Sequence, residues 1–343
     1  MLARISMPGS VALSFTHEPS FREAIEVEGF SPKVIVAENN ETVQGVALMA
    51  RKPVFLDGKI QEIGYLSSLR LDPSVRSTAV LARGYRLLRQ LHEADPLPFY
   101  LTTIMEENEG AKAILTSGRA GLPTYHPIGA FRTVLLPLVR RRVPLPDGVR
   151  ILRGQEVGAE PIIDCLHRLG KDRQYFPVYK KEDLLSAGGI LRGLKVEDFF
   201  VAVEGDRLIG TLACWDQNPF RQSVVTGYSP AMKWVKRGFD CLASFSRMAP
   251  LPREGGAFQS LTAACLTGGS PEVFRGLLRT AINARVGTGK TFLTVGLSAE
   301  DPWLPVAEEG WHTTLKSLIY AVAWDSRFEA SKDRVPYLEL GSL

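Results

Sequence analysis

The sequence predicts an α+β protein of two tandem units, each a mixed, mostly antiparallel sheet flanked by helices. Three observations carry that reading. At 343 residues the chain is too long for one ordinary core. Strand-like runs alternate along it with amphipathic helical runs. A hairpin pattern also recurs. Val34–Leu48 aligns without a gap on Phe199–Ala213, with Gly45 matching Gly210 and Ala47 matching Leu212 at one constant offset. In each half a strand, a turn and an amphipathic helix follow the hairpin, so the chain reads as a duplication.

In the first half, 11–15 is a strand and 21–28 a helical segment. Lys33–Ala37 and Thr42–Met49 form a hairpin through the polar turn 38–41, and Arg51–Ile60 a second hairpin around Asp57-Gly58. The strand from Ile63 ends at Leu71, because Pro73 cannot donate to a ladder and pushes Asp72 away from helical angles. A helix follows. Val80, Leu81, Leu87, Leu88 and Leu91 fall on its apolar face, and Arg83, Arg86, Arg89 and Gln90 on the other. Phe99–Ile104 is a strand, Asn108–Ser117 a helix, the Gly- and Pro-rich stretch 118–130 a loop, and Phe131–Leu138 a closing strand. Residues 1–139 thus form the first unit, and 140–147, with Pro144 and Pro146, a linker.

The order restarts in 148–343. Val149–Leu152 is a strand, Val157–Leu169 a helix, and Phe199–Val203 with Arg207–Trp215 the repeated hairpin. Ala231–Ala249 is an additional helix. Ser260–Leu266 is a strand, and Thr267-Gly268-Gly269-Ser270 the turn into a helix over 271–284, with Ser270 as N-cap and Pro271 at the favoured first position. Thr291–Gly296 is the next strand.

Composition narrows the function. A 45% hydrophobic content and a net charge of +4 fit a soluble globular protein and make no demand for nucleic acid. Four cysteines without CxxC pairing and five histidines without metal-ligand spacing point to a reduced, cytoplasmic, metal-free protein. No window has the ~18 apolar residues of a membrane span. Arg285-Val286-Gly287-Thr288-Gly289-Lys290-Thr291 suggests a P-loop, but Ala284 stands where the leading glycine belongs. A helix precedes this run and a strand follows it, the reverse of a P-loop's context.

The segment 69–81 carries more. Its turn offers Ser77 and Thr78 as N-caps, and a helix start with free amides suits an anion. Leu71-Asp72-Pro73-Ser74-Val75-Arg76 and the helix it opens resemble the pyrophosphate-binding segment of the GNAT superfamily of N-acetyltransferases. There a strand leads to Arg or Gln, two residues, Gly, one residue, then Gly or Ala. The two small positions fall on Ala79 and Leu81 here. Glu107-Asn108-x-x-Ala111 resembles the family's fifth strand and following helix, whose Asn approaches the pantetheine arm.

The resemblance implies an acyl-CoA-dependent N-acyltransferase. Acetyl-CoA or another acyl-CoA would be the co-substrate, and an amine of a small molecule or peptide the acceptor. It places Leu69, Leu71, Arg76, Ser77, Thr78, Ala79, Val80 and Asn108 at the cofactor. Such chemistry needs a route for the amine proton and an acid for the leaving thiolate; the family's pattern suggests Glu62 as base and Tyr125 as acid. Tyr65 and Ser67 face either the cleft or the core. In the second unit, Thr267–Ser270 lacks the leading Arg or Gln, so its cofactor site is expected to be degenerate. Two alternatives stay open: a non-catalytic acyl-CoA-binding or interaction module, and an aminoacyl or peptidyl transferase of tandem GNAT type.

Overall fold

The computed structural model describes residues 11–75, 79–119, 121–246, 250–324 and 333–343. The first half runs β1 (Val11–Thr16), α1 (Phe21–Glu26), β2 (Phe30–Asn39), β3 (Thr42–Leu56), β4 (Lys59–Leu71), α2 (Ala79–Ala94), β5 (Tyr100–Met105), α3 (Glu109–Leu115) and β6 (Thr124–Pro137). The second runs β7 (Val149–Arg153), α4 (Gly154–Val157), α5 (Ala159–Gly170), β8 (Phe176–Pro177), α6 (Lys181–Leu185), β9 (Phe199–Glu204), β10 (Arg207–Trp215) and β11 (Gln222–Tyr228). It continues with α7 (Pro230–Ser246), β12 (Ser260–Gly268), α8 (Pro271–Arg285), β13 (Phe292–Ser298), α9 (Leu304–Ala307) and β14 (Thr313–Ala323).

Two-residue turns close the long hairpins of the first half. Asn40 and Glu41 join β2 to β3, and Asp57 and Gly58 join β3 to β4; all four have positive φ. Turns of that kind match the twist of the flanking strands. Arg285–Thr291 links the end of α8 to β13, so helix-then-strand is its context.

One mixed sheet runs through both halves in the order β2-β3-β4-β5-β14-β6-β13-β12-β10-β9-β7, with β8 added on β3. The order is palindromic in kind. From β2 on one side, and from β9 inside the edge strand β7 on the other, a hairpin leads to an antiparallel third strand, then a parallel fourth: β4 beside β5, and β12 beside β13. The closing strands are exchanged. β14 lies beside β5, β6 lies beside β13, and the two pair along Thr313–Leu135 to Ala323–Thr124. The cut suggested between 139 and 148 falls between β6 and β7, and the sheet crosses it without a break. β1 pairs β11 as a separate ribbon.

Three local expectations change. The stretch 118–130 is not loop throughout, because β6 begins at Thr124. Up to Ala130 that strand pairs only β14, and β13 joins it from Phe131. A one-sided strand tolerates Pro127 and Gly129. The strand Thr313–Ala323 was not anticipated, and its partners lie far away in sequence. On α2, Tyr85 and Leu88 are buried while Leu87 is 41% exposed; Leu81, Tyr85, Leu88 and Leu91 make the inner stripe. That stripe packs with Met49, Tyr100, Ile104 and Val322. α5 and α8 share the larger core with Phe199–Val203 and Leu261–Leu266.

Candidate functional site

The first half contains a cleft made by two strands that part. β4 and β5 run parallel but pair only at Gly64–Tyr100 and Tyr65–Leu101. Gly64 is required there, since a Cβ would lie 1.9 Å from Cδ1 of Tyr100. Beyond that point β4 follows β3 up to Gly45–Leu71, and β5 follows β14 up to Met105–Ser317. A bulge marks the parted stretch. The register slips between Val46 and Leu48 on β3, opposite Arg70 and Ser67 on β4, and Ser68 between them has φ +54°. A bulge frees backbone groups from the ladder and re-aims the strand, and a non-glycine residue with positive φ is held there by its surroundings.

Above the cleft the chain turns at Asp72, whose carboxylate accepts from the N–H and hydroxyl of Ser74. α2 then begins, 16 residues long, with no acidic side chain in its first turn. A helix start without acidic side chains leaves its positive dipole end open to an anion.

The comparisons fit this geometry. No family model and no curated protein matches the chain by sequence. Solved structures match in shape. A GCN5-related glucosamine N-acetyltransferase region of a fungal multi-domain GH3 β-N-acetylglucosaminidase superposes with TM-score 0.57 at 14% identity, covering 88% of this chain and 34% of that one. A GCN5-related N-acetyltransferase from Sphaerobacter thermophilus gives 0.51 at 10% identity, covering 91% and 83%. One from Anabaena variabilis gives 0.49 at 8%, covering 91% and 73%. The chain has the fold of the GCN5-related N-acetyltransferases.

Within that GNAT fold the expected cofactor residues gather at the cleft mouth. Leu69 lies in the bulged stretch and leans on the α2 side of the core, while Leu71 closes over Gly45. Ala79 and Val80 open α2. Asn108 stands just past the end of β5 and caps α3, its side-chain oxygen accepting from the Ala111 N–H at 3.1 Å. Arg76, Ser77 and Thr78 lie outside the described residues.

The expected acid and base are not at the cleft. Glu62 precedes the point where β4 meets β5; it is 48% exposed and ion-paired with Arg51 at 2.8 Å. Tyr125 stands opposite Val322, which stands opposite Tyr100, so it too lies at the joined end. Its hydroxyl is bonded to that of Tyr85, and burial, reinforced by Tyr85, raises its pKa well above the ordinary value. Residue type suggested both roles, and strand register sets both side chains on the side where β4 and β5 are joined.

A buried polar cluster occupies the other face of β4. Ser67, the residue before the bulge, donates its hydroxyl to Glu28, which is 1% exposed. Arg221 donates to the same carboxylate, and His17 Nε2 lies 3.9 Å from it. Burial, then Arg221 and Arg70, lower the His17 pKa to about 3, so the ring is neutral at ordinary pH. The Tyr65 hydroxyl bonds the Thr103 side chain across the parting strands, and burial raises its pKa. The Lys52 ammonium sits 4.5 Å above the Tyr65 ring and donates to the carbonyl and hydroxyl of Ser342, both at 2.8 Å. Burial lowers the Lys52 pKa to about 7, against the pull of Glu28 and Glu339. A cavity of about 20 Å³, room for roughly one water, is lined by Lys52, Gly64, Tyr65, Leu101 and Glu339 among others.

The second half repeats the cleft with different contents. β12 and β13 pair only over Ser260–Thr262 and Phe292–Thr294. The register slips between Thr211 and Ala213, opposite Thr267 and Ala264, and Cys265 there has φ +52°. α8 starts with Ser270 capping the Val273 N–H and with Pro271 and Glu272 in its first turn, where α2 has no acidic residue. An acidic residue and a filled cap both disfavour an anion. Among the described residues no group of three metal-ligating side chains gathers, and no helix is long and apolar enough to cross a membrane.

Proposed function

We propose that the chain is an acyl-CoA-dependent N-acyltransferase, passing an acyl group to an amine of a small molecule or peptide, with its cofactor in the first cleft. The observation that carries this reading is the parting of β4 from β5 at the Ser68 bulge, below a helix start without acidic residues. In this reading residues 1–139 form the unit that holds the cofactor, 140–147 the linker, and 148–343 a second unit that shapes the acceptor side.

The residues suit acetyl-CoA or a related acyl-CoA. The first-turn amides at Ala79 and Val80 would take phosphate oxygens, and Asn108 and Leu69 would border the pantetheine arm. When bound, the acyl-CoA supplies a thioester carbonyl open to attack by an amine. The backbone N–H groups of the bulge at Ser68 would polarise that carbonyl. Ser67 and Glu28 give the amine proton a route. As the amine nitrogen bonded to the acyl carbon, its proton would pass to Ser67 Oγ and the Ser67 hydroxyl proton to Glu28, while the C–S bond would break with CoA leaving as the thiolate.

Thiol release from acetyl-CoA across a panel of primary amines tests the reading. An amine-dependent rate is expected, falling 10²–10⁴-fold in Glu28→Gln, the usual contribution of a proton acceptor. A chain that binds acetyl-CoA but turns over no amine would contradict it.

A further inference from the structure

The second cleft is filled by the chain itself. Residues 333–343 run along it, and Tyr337, Leu338 and Glu339 are each under 5% exposed. The fit is specific. Oε2 of Glu339 accepts from the Cys265 N–H at 2.8 Å, in the bulge that corresponds to Ser68 of the first cleft. The next amide, Leu266, donates to the Tyr337 hydroxyl at 3.1 Å, and that hydroxyl donates to Oε2 of Glu339 at 2.8 Å. Tyr179 donates to the same oxygen at 3.2 Å, and the Gly341 N–H approaches Oε1 at 3.4 Å.

Shape is matched as closely. Gly296 on β13 leaves room for Leu340, whose Cβ would lie 2.8 Å from an added Cβ. Gly341 lies flat on Trp215; a Cβ there would come within 2.4 Å of the ring. Upstream, Gln174 and the segment exchange backbone bonds, Gln174 N–H to Val335 carbonyl and Tyr337 N–H to Gln174 carbonyl. Burying a carboxyl is costly unless its oxygens are satisfied, and this one has a donor set converging from three elements.

We propose that the second cleft is a peptide-binding socket for an extended segment carrying Tyr-x-Glu-x-Gly, and that Val335–Leu343 is the ligand it holds in cis. The recognising groups are the Cys265 and Leu266 amides, the Tyr179 hydroxyl, the Gly296 hollow and the Trp215 face. The socket assignment is independent of whether the first cleft transfers acyl groups. It also ties the halves together, since Gly341 and Ser342 of the bound segment take hydrogen bonds from Gln217, Arg221 and Lys52.

The test is a full-length chain with a specific protease site introduced within 325–332, cut after folding. The segment is expected to stay with the cut chain through gel filtration and to exchange with an added labelled peptide of sequence 335–343. Peptides with Glu339→Ala or Gly341→Ala are expected to compete at least tenfold less well. Equal competition by the Glu339→Ala peptide, or loss of the segment from a chain that stays folded, would overturn the proposal. If cutting unfolds the chain, hydrogen exchange on the uncut protein decides. Glu339→Ala is expected to speed exchange at the Cys265 and Leu266 amides at least tenfold, and unchanged protection there would overturn it.

Discussion

Lys52 is the residue whose surroundings make the sharpest demand. Its ammonium is enclosed beside Tyr65, and burial brings its pKa to about 7. Between about pH 7 and the unfolded value near 10.5, the unfolded chain therefore binds more proton than the folded one. Stability contributed by this group is absent below pH 7 and gained as pH rises, by up to about 1.4 kcal/mol per pH unit for one proton. Chemical denaturation of wild type and Lys52→Met from pH 7 to 9 should show that slope in the first and lose it in the second. Equal slopes would mean that the amine is not buried. Gly64 makes a steric demand of the same kind. Gly64→Ala sets a methyl against the Tyr100 ring and should cost about 1–3 kcal/mol, read as a lowered Tm; an unchanged Tm would mean that the strands can part earlier.

Element by element, α2 separates binding from stability. Ala79→Glu adds an acidic side chain at a helix start that has none. It should stabilise the helix by about 0.3–1 kcal/mol and weaken acetyl-CoA binding by repelling its phosphates. A loss of both would point to misfolding, and a loss of neither would remove the phosphate from this helix. The helix itself was legible in the sequence, because Leu81, Leu88 and Leu91 keep a helical period and Pro73 ends the strand before it. The two hairpins were legible for the same reason. Ala37 pairs Gly45 in one, and Ala202 pairs Gly210 in the other. β14 and the first part of β6, 124–130, were not legible, since both are completed by pairing between distant parts of the chain and Pro127 and Gly129 read locally as loop.

For the whole molecule, exchanged strands join two similar series into one sheet with two clefts of unlike content. The first offers a bulge and a helix start without acidic residues; the second holds Glu339 on its bulge and Ser270 and Glu272 at its helix. That contrast was partly legible, because Thr267–Ser270 lacks a basic residue. The polar cluster was not. Glu28 meets Ser67 39 residues away and Arg221 193 residues away, and local spacing carries no trace of either contact. The one early signal was an acidic residue directly after the apolar Ile25 and Val27 turn of α1. Glu62 and Tyr125 were chosen by type, and their distance from the parted strands follows only from the register of β4, β5 and β14.

The central claim is that one cleft, the first, takes the cofactor. Calorimetric titration of the chain with acetyl-CoA tests it most directly. The account predicts one site per chain, weakened by Ala79→Glu and unchanged by Glu272→Ala in the second half. No binding, two sites, or loss of binding on changing Glu272 rather than Ala79 would contradict it.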